Sequence, residues 1–247
     1  MENYRLEGKT FVIDDYDRLP AFSSFLPGLA GVKGIPMWTF YTNRGQGMNS
    51  FGIDNKGNAI MEFNSANTAF ENTTVKGFRT FLTIDGEYYE PFFKYEDDAK
   101  RQIRMNKNSF KVIERNEKYG IEITVNYYVL PNESIGALVR QVSIKNISGQ
   151  KKNIEIIDGL PKIITYGISN GEFKEMSNLF KSWAYIKNID NKVPYYTLRA
   201  STKDSAEVSD VEGGYYYLTV KDGKLQDVIY DVDTVFGYDL SLMTPVR

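Results

Sequence analysis

The sequence predicts a mainly β protein, an antiparallel β-sandwich with one short helix. Apolar and polar residues alternate over much of the chain, as in Ile121-Glu122-Ile123-Thr124-Val125-Asn126-Tyr127. Period two is the pattern of a strand with one buried face. Turn signals such as Asp85-Gly86 and Asp222-Gly223 separate the strands, and both residue types tolerate the positive φ of a tight hairpin. Aromatic residues make up 14% of the chain, and they favour half-buried pleated surfaces.

Taken in order, strands are expected at Thr10–Asp14, Trp38–Tyr41, Ser50–Ile53, Ile60–Phe63, Gly77–Ile84, Ser109–Arg115 and Ile121–Tyr127. Asp54-Asn55-Lys56-Gly57-Asn58 is the turn between the third and fourth of these. Leu138, Val142 and Ile144 share a face of the next strand, with Arg140 interrupting it. Ile154 and Ile156 continue the alternation after the turn Asn146-Ile147-Ser148-Gly149, so these two strands read as a hairpin. Gln150-Lys151-Lys152 reads as a solvated turn. Later strands fit Tyr195–Ala200, Tyr215–Val220 and Gln226–Asp231. Between them, Phe173, Met176, Leu179, Phe180 and Trp183 are spaced by three or four residues, which predicts a helix over Ser169–Trp183. No repeat, linker or domain boundary is legible, and residues 1–247 read as one sandwich domain.

Composition excludes several chemistries. The chain has no Cys and no His, which removes disulfides, thiolate nucleophiles, Cys/His zinc sites and any His general base. An all-oxygen calcium site stays open, although no Asp-x-Asp-x-Asp-Gly loop is present. The net charge of −2 offers no broad attraction to nucleic acid or an anionic membrane. The N-terminus lacks the apolar stretch of a signal peptide, and no apolar run approaches the ~18 residues of a span. A cytoplasmic location is therefore expected.

The candidate sites are few. Gly28-Leu29-Ala30-Gly31-Val32-Lys33-Gly34 is glycine-rich, but it lacks the Gly-Lys-Ser/Thr ending of a phosphate loop, and Pro36 blocks an immediate helix. Asp14-Asp15-Tyr16-Asp17 clusters carboxylates at a strand end, where a turn anchor is the expected role. Glu62, Glu90 and Glu96-Asp97-Asp98 have no stronger case. The stretch FYTNRGQGMNSFG, residues 40–52, is more informative, because Arg44 precedes a Gln46 flanked by Gly45 and Gly47. Asn43, Arg44 and Gln46 are the candidate contacts to a sugar or to an interface. In the alternative, Arg44 pairs with a carboxylate such as Glu62 and fixes the loop.

The run FSSFLPGLAGVKGIPMWTFYTNRGQGMNSFGIDNKGNAIMEFNSANTAF, followed by GFRTFL and YYEPF, resembles the start of bacterial 1,2-β-oligoglucan phosphorylases. These belong to the cellobiose-phosphorylase group, glycoside hydrolase family 94 (formerly glycosyltransferase family 36). The resemblance spans about Phe22 to Phe92 and continues more weakly through LVRQVSIKNISG and VFGYDLSL. It implies an N-terminal sandwich of the galactose-mutarotase type, followed by a helical barrel that carries the catalytic acid. It also implies phosphorolysis of a β-glucan with inversion, giving α-glucose 1-phosphate without a cofactor. Phosphate is the nucleophile there, so one enzymatic acid suffices. On this resemblance the chain is the non-catalytic N-terminal part of a longer enzyme. Its partners are then a helical-barrel domain, in its own chain or a second one, with β-glucan oligosaccharide and phosphate. A stand-alone carbohydrate-binding module is the alternative.

Overall fold

The computed structural model describes residues 3–27, 35–93, 99–203 and 206–246. The strands in chain order are β1 (Tyr4–Glu7), β2 (Thr10–Asp14), β3 (Ser23–Pro27), β4 (Met37–Thr42), β5 (Met48–Ile53), β6 (Ala59–Met61), β7 (Arg79–Ile84), β8 (Glu87–Tyr89) and β9 (Ala99–Met105). They continue as β10 (Ser109–Asn116), β11 (Ile121–Val129), β12 (Leu138–Asn146), β13 (Ile154–Gly159), β14 (Ala184–Lys187), β15 (Tyr195–Leu198), β16 (Tyr215–Tyr216), β17 (Val220–Lys221) and β18 (Lys224–Leu225). The helices are α1 (Ala66–Lys76), α2 (Asn170–Met176), α3 (Phe180–Trp183) and α4 (Val232–Phe236). The protein is mainly antiparallel β, with open sheets rather than a barrel. It gathers into two compact units, the larger being Met1–Asp54 with Phe63–Pro161 and the smaller Asn55–Glu62 with Lys162–Arg247.

The larger unit is built on a six-stranded antiparallel sheet in the order β1-β2-β9-β10-β11-β12. Period two decides its faces. Ile103, Phe110, Val112, Ile121, Ile123, Val125 and Tyr127 are fully buried on the inner face. The facing layer consists of β3, β4 and β5 side by side and of β13-β7-β8. Rings lock the two layers together: Tyr41 of β4 lies 4.8 Å from Phe110, and Phe78 lies 5.8 Å from Tyr127. The Asp85-Gly86 signal holds, because β7 and β8 pair Ile84 with Glu87 across it, with Asp85 at φ 52 and Gly86 at φ 91.

Two expectations are corrected in this unit. β12 and β13 do not form a hairpin: β12 pairs with β11, and β13 pairs with β7 in the other layer. The connection from Ile147 to Asn153 is long enough to turn a sandwich edge, where a hairpin would need a tight loop. The helix α1 lies where no helix is expected. It buries only Ala69 and Thr73, so it has no apolar stripe to betray it. It is held by polar contacts instead: Asn49 Nδ2 donates to Ala69 O and Thr73 Oγ1, both at 3.1 Å, and Thr42 Oγ1 donates to Thr73 Oγ1 at 3.0 Å.

The smaller unit carries the predicted helical region. Ser169 and Glu172 form a reciprocal capping box, with Glu172 N donating to Ser169 Oγ at 3.2 Å and Ser169 N to Glu172 Oε2 at 2.8 Å. Helix α2 then tightens into a 3-10 turn, Ser177–Leu179, before α3. This shift of phase leaves Phe173 and Phe180 buried with rings 5.0 Å apart, while Leu179 is 69% exposed. A small sheet β14-β15-β16 and the Asp222-Gly223 hairpin β17-β18 follow. Gln226–Asp231 is not a strand; Asp231 instead caps α4, its Oδ1 accepting from Asp233 N at 3.1 Å.

Charge inside the sandwich is organised around Glu114. Its carboxylate, 1% exposed, accepts from Arg101 Nε at 2.6 Å, from Phe92 N at 2.6 Å and from Tyr89 Oη. Arg101 also reaches Asp17. Phe92 sits at φ 63, a conformation that a bulky residue holds only when its surroundings impose it. Glu114→Ala is expected to destabilise the protein by about 3–5 kcal/mol in urea unfolding, because it takes one of two carboxylates from a buried guanidinium, leaves the Phe92 N–H without its acceptor and frees a strained segment. A loss below about 1 kcal/mol would show that the cluster is dispensable.

Candidate functional site

Within the 40–52 stretch, residues 43–47 join β4 to β5, and their geometry answers what the glycines are for. Gly45 and Gly47 take φ 50 and φ 82, which favour glycine. A Cβ on Gly47 would stand 2.3 Å from the Phe110 ring. The glycines therefore bring the turn down onto the six-stranded sheet, and Tyr16 Oη donates to Gly45 O at 2.5 Å from below. A bulge follows: Tyr41 pairs with Met48 but Phe40 with Ser50, which leaves Asn49 as the extra residue, turned toward α1.

All three candidate residues are engaged within this unit. Asn43 is fully buried; its Oδ1 accepts from Phe22 N at 2.8 Å, and its Nδ2 donates to Tyr16 O at 2.9 Å and Pro20 O at 3.0 Å. Arg44 is half-buried and donates to Asn43 O at 2.7 Å and Leu19 O at 3.2 Å. Gln46 is buried; its Nε2 donates to Thr80 Oγ1 at 3.0 Å and its Oε1 accepts from Arg140. Asn43 and Arg44 thus fasten the segment Tyr16–Phe22 to the loop. Gln46 belongs to a separate network.

That network was not legible as a site. Arg140 stands on the inner face of β12, opposite Tyr127. Its Nη1 donates to Asp158 Oδ2, its Nη2 to Asp158 Oδ1 at 2.9 Å and Thr80 Oγ1 at 3.1 Å, and its Nε to Tyr127 Oη at 3.3 Å. Thr80 Oγ1 lies 2.6 Å from Asp158 Oδ1. Burial works against the Arg140 charge, and Asp158 outweighs it, so the guanidinium is held above its ordinary value. Burial pushes the Tyr127 hydroxyl up to about 12, so it stays neutral beside the guanidinium. The available signal was the interruption itself: an Arg at a core-facing position of an alternating strand needs a polar partner.

The remaining acidic candidates separate. Asp14 binds Arg5 and Gln102 near the surface, and Asp15 opens a 3-10 turn at φ 46. Asp17 turns inside to Arg101. Glu90 makes a two-pronged pair with Arg79, at 2.6 and 2.8 Å, which joins the GFRTFL and YYEPF motifs. The glycine-rich stretch 28–34 and Glu96-Asp97-Asp98 lie outside the described residues. Among the described residues no group of three acidic side chains is placed to hold a metal ion, and no helix is long and apolar enough to cross a membrane. An aromatic group formed by Phe25, Trp38, Phe40 and Phe63 reaches the surface at β3, with Phe25 54% exposed and 4.9 Å from Phe40. No protein-family model matches the chain, and no curated protein matches it.

Arg44→Ala is expected to cost about 1 kcal/mol, the value of surface hydrogen bonds to backbone. Arg140→Ala is expected to cost about 2–3 kcal/mol, because it removes the charged donor that Gln46 Oε1 and Asp158 share. Equilibrium unfolding of the two variants side by side checks the order, and a larger loss for Arg44→Ala would contradict it.

Proposed function

We propose that this chain is the non-catalytic sandwich of an inverting β-glucan phosphorylase, acting through a helical-barrel domain that carries the acid. The observation that carries the reading is the state of the inner carboxylates. Asp17, Glu90 and Glu114 are each gripped by an Arg inside the larger unit, and Asp158, nearer the surface, pairs with Arg140. A general acid must offer its proton to a bound substrate, whereas these groups face guanidinium forks and serve the fold. The extended resemblance from Phe22 to Phe92 supports the family. Tyr238 and Leu240, in the VFGYDLSL stretch, are 95% and 90% exposed, which suits residues that pack against another domain.

The purified chain, given 1,2-β-glucan oligosaccharides and phosphate, is expected to release no glucose 1-phosphate. Adding a polypeptide that carries the helical barrel is expected to restore release. Glucose 1-phosphate from the chain alone, or none from the reconstituted pair, would overturn the reading.

A further inference from the structure

We infer that β1 is the docking edge for a second copy of this chain, joining two six-stranded sheets across a two-fold axis at Leu6. β1 is the outermost strand of its sheet. Its pairing with β2 runs without a bulge from Tyr4 and Ile13 to Glu7 and Thr10, and it contains no Pro. It therefore lacks two of the devices that blunt an exposed edge.

The ladder decides which groups face outward. Asp14 N donates to Asn3 O at 2.9 Å, and hydrogen-bonded positions alternate along an antiparallel pair. Arg5 and Glu7 thus turn their backbone groups toward β2, whereas Tyr4 and Leu6 turn theirs to the open edge. The side chains alternate as well. Leu6 pairs with Phe11 and Tyr4 with Ile13, on the face where Ile13 and Ile103 are buried in the core. That apolar face runs on to the edge uncovered. Leu6 is 70% exposed, and the exposed rings of Tyr4 and Phe11 stack 6.3 Å apart. Arg5 and Glu7 stand on the opposite face, where Arg5 binds Asp14 and Glu7 binds Arg104.

These constraints select the partner and its register. An antiparallel second β1 centred on Leu6 sets the outward N–H and C=O of Leu6 against those of Leu6 in the second copy. The two leucines then close the apolar face. Tyr4 lies beside Gly8 of the second copy, where a Cβ would meet nothing within 4 Å, so its ring has room. Arg5 falls directly opposite Glu7 of the second copy, and Glu7 opposite Arg5, which places opposite charges where like charges are unfavourable. Moving the axis to Arg5 or Glu7 would set like charges face to face, with backbone groups already bound to β2. The edge is thus complementary to itself, as a two-fold dimer requires. A contact of one short strand is at the small end of interface sizes, so the dimer is weak, with a Kd on the order of 10 μM.

This inference does not rest on the phosphorylase reading. The test is sedimentation equilibrium of the full chain at concentrations spanning that Kd, where the mass is expected to rise from monomer to dimer. Leu6→Pro removes an outward N–H and leaves the β2 ladder intact; it is expected to keep the chain monomeric with its circular dichroism unchanged. Arg5→Glu and Glu7→Arg each set like charges across the axis, and each is expected to weaken the dimer about tenfold. An equimolar mixture of those two variants is expected to associate at least as tightly as the parent chain, because each reversed charge then meets its opposite. The mixture decides the matter should Leu6→Pro fail to fold. A parent chain that stays monomeric, a dimer unchanged by Leu6→Pro, or a mixture that associates no better than its components would each overturn the inference. So would a monomeric chain whose β1 amide resonances shift on adding a polypeptide that carries the helical barrel, since the edge would then belong to that domain.

Discussion

The buried carboxylate of Glu114 is the constraint on which the larger unit turns. Three elements meet on its two oxygens: the β9 guanidinium of Arg101, the phenol of Tyr89 from β8, and the backbone of Phe92. Removing a carboxylate from water is unfavourable by several kcal/mol unless its charge and its lone pairs are met. Glu114 therefore specifies its neighbours: any arrangement that breaks one contact leaves a buried ion short of a partner. The left-handed Phe92 is a local consequence, since its N–H is one of the groups the carboxylate recruits.

The same logic recurs elsewhere in the unit. Arg140 of β12 meets Asp158 of β13 across the layers while collecting Gln46 and Thr80, and Arg79 meets Glu90 within the facing layer. Apolar contacts between the sheets hold the layers together without fixing their register, because the hydrophobic effect is not directional. The forks supply direction. Two parallel N–H···O bonds to a carboxylate fix both distance and orientation, so each pair sets the position of one strand against another.

This arrangement bears on function. The polar residues of the loop between β4 and β5 look exposed in a linear reading, since Asn, Arg, Gly and Gln are loop residues. Yet Asn43 and Gln46 are inner residues, and Arg44 ties back to Leu19. Apolar side chains reach the surface elsewhere, in the aromatic group at β3 and at the exposed Tyr238 and Leu240 of the smaller unit.

Local chemistry along the chain was enough to specify the antiparallel β class, most strand positions and the hairpins at Asp85-Gly86 and Asp222-Gly223. Those features depend on side-chain alternation along one strand and on the φ preference of two adjacent residues. The helical region after Ser169 was legible for the same reason, through its apolar spacing. The remainder came from contacts between distant segments. Strand β9 was hidden because a core position holds Arg101, and α1 because its contacts are hydroxyls and amides. The separation of β12 from β13 into different layers depends on which strands lie beside them, β11 and β7. The roles of Asn43, Arg44 and Gln46 were out of reach for the same physical reason. A polar side chain reads as solvated until its partner is known, and here the partners lie far away in sequence, at Tyr16, Leu19, Thr80 and Arg140.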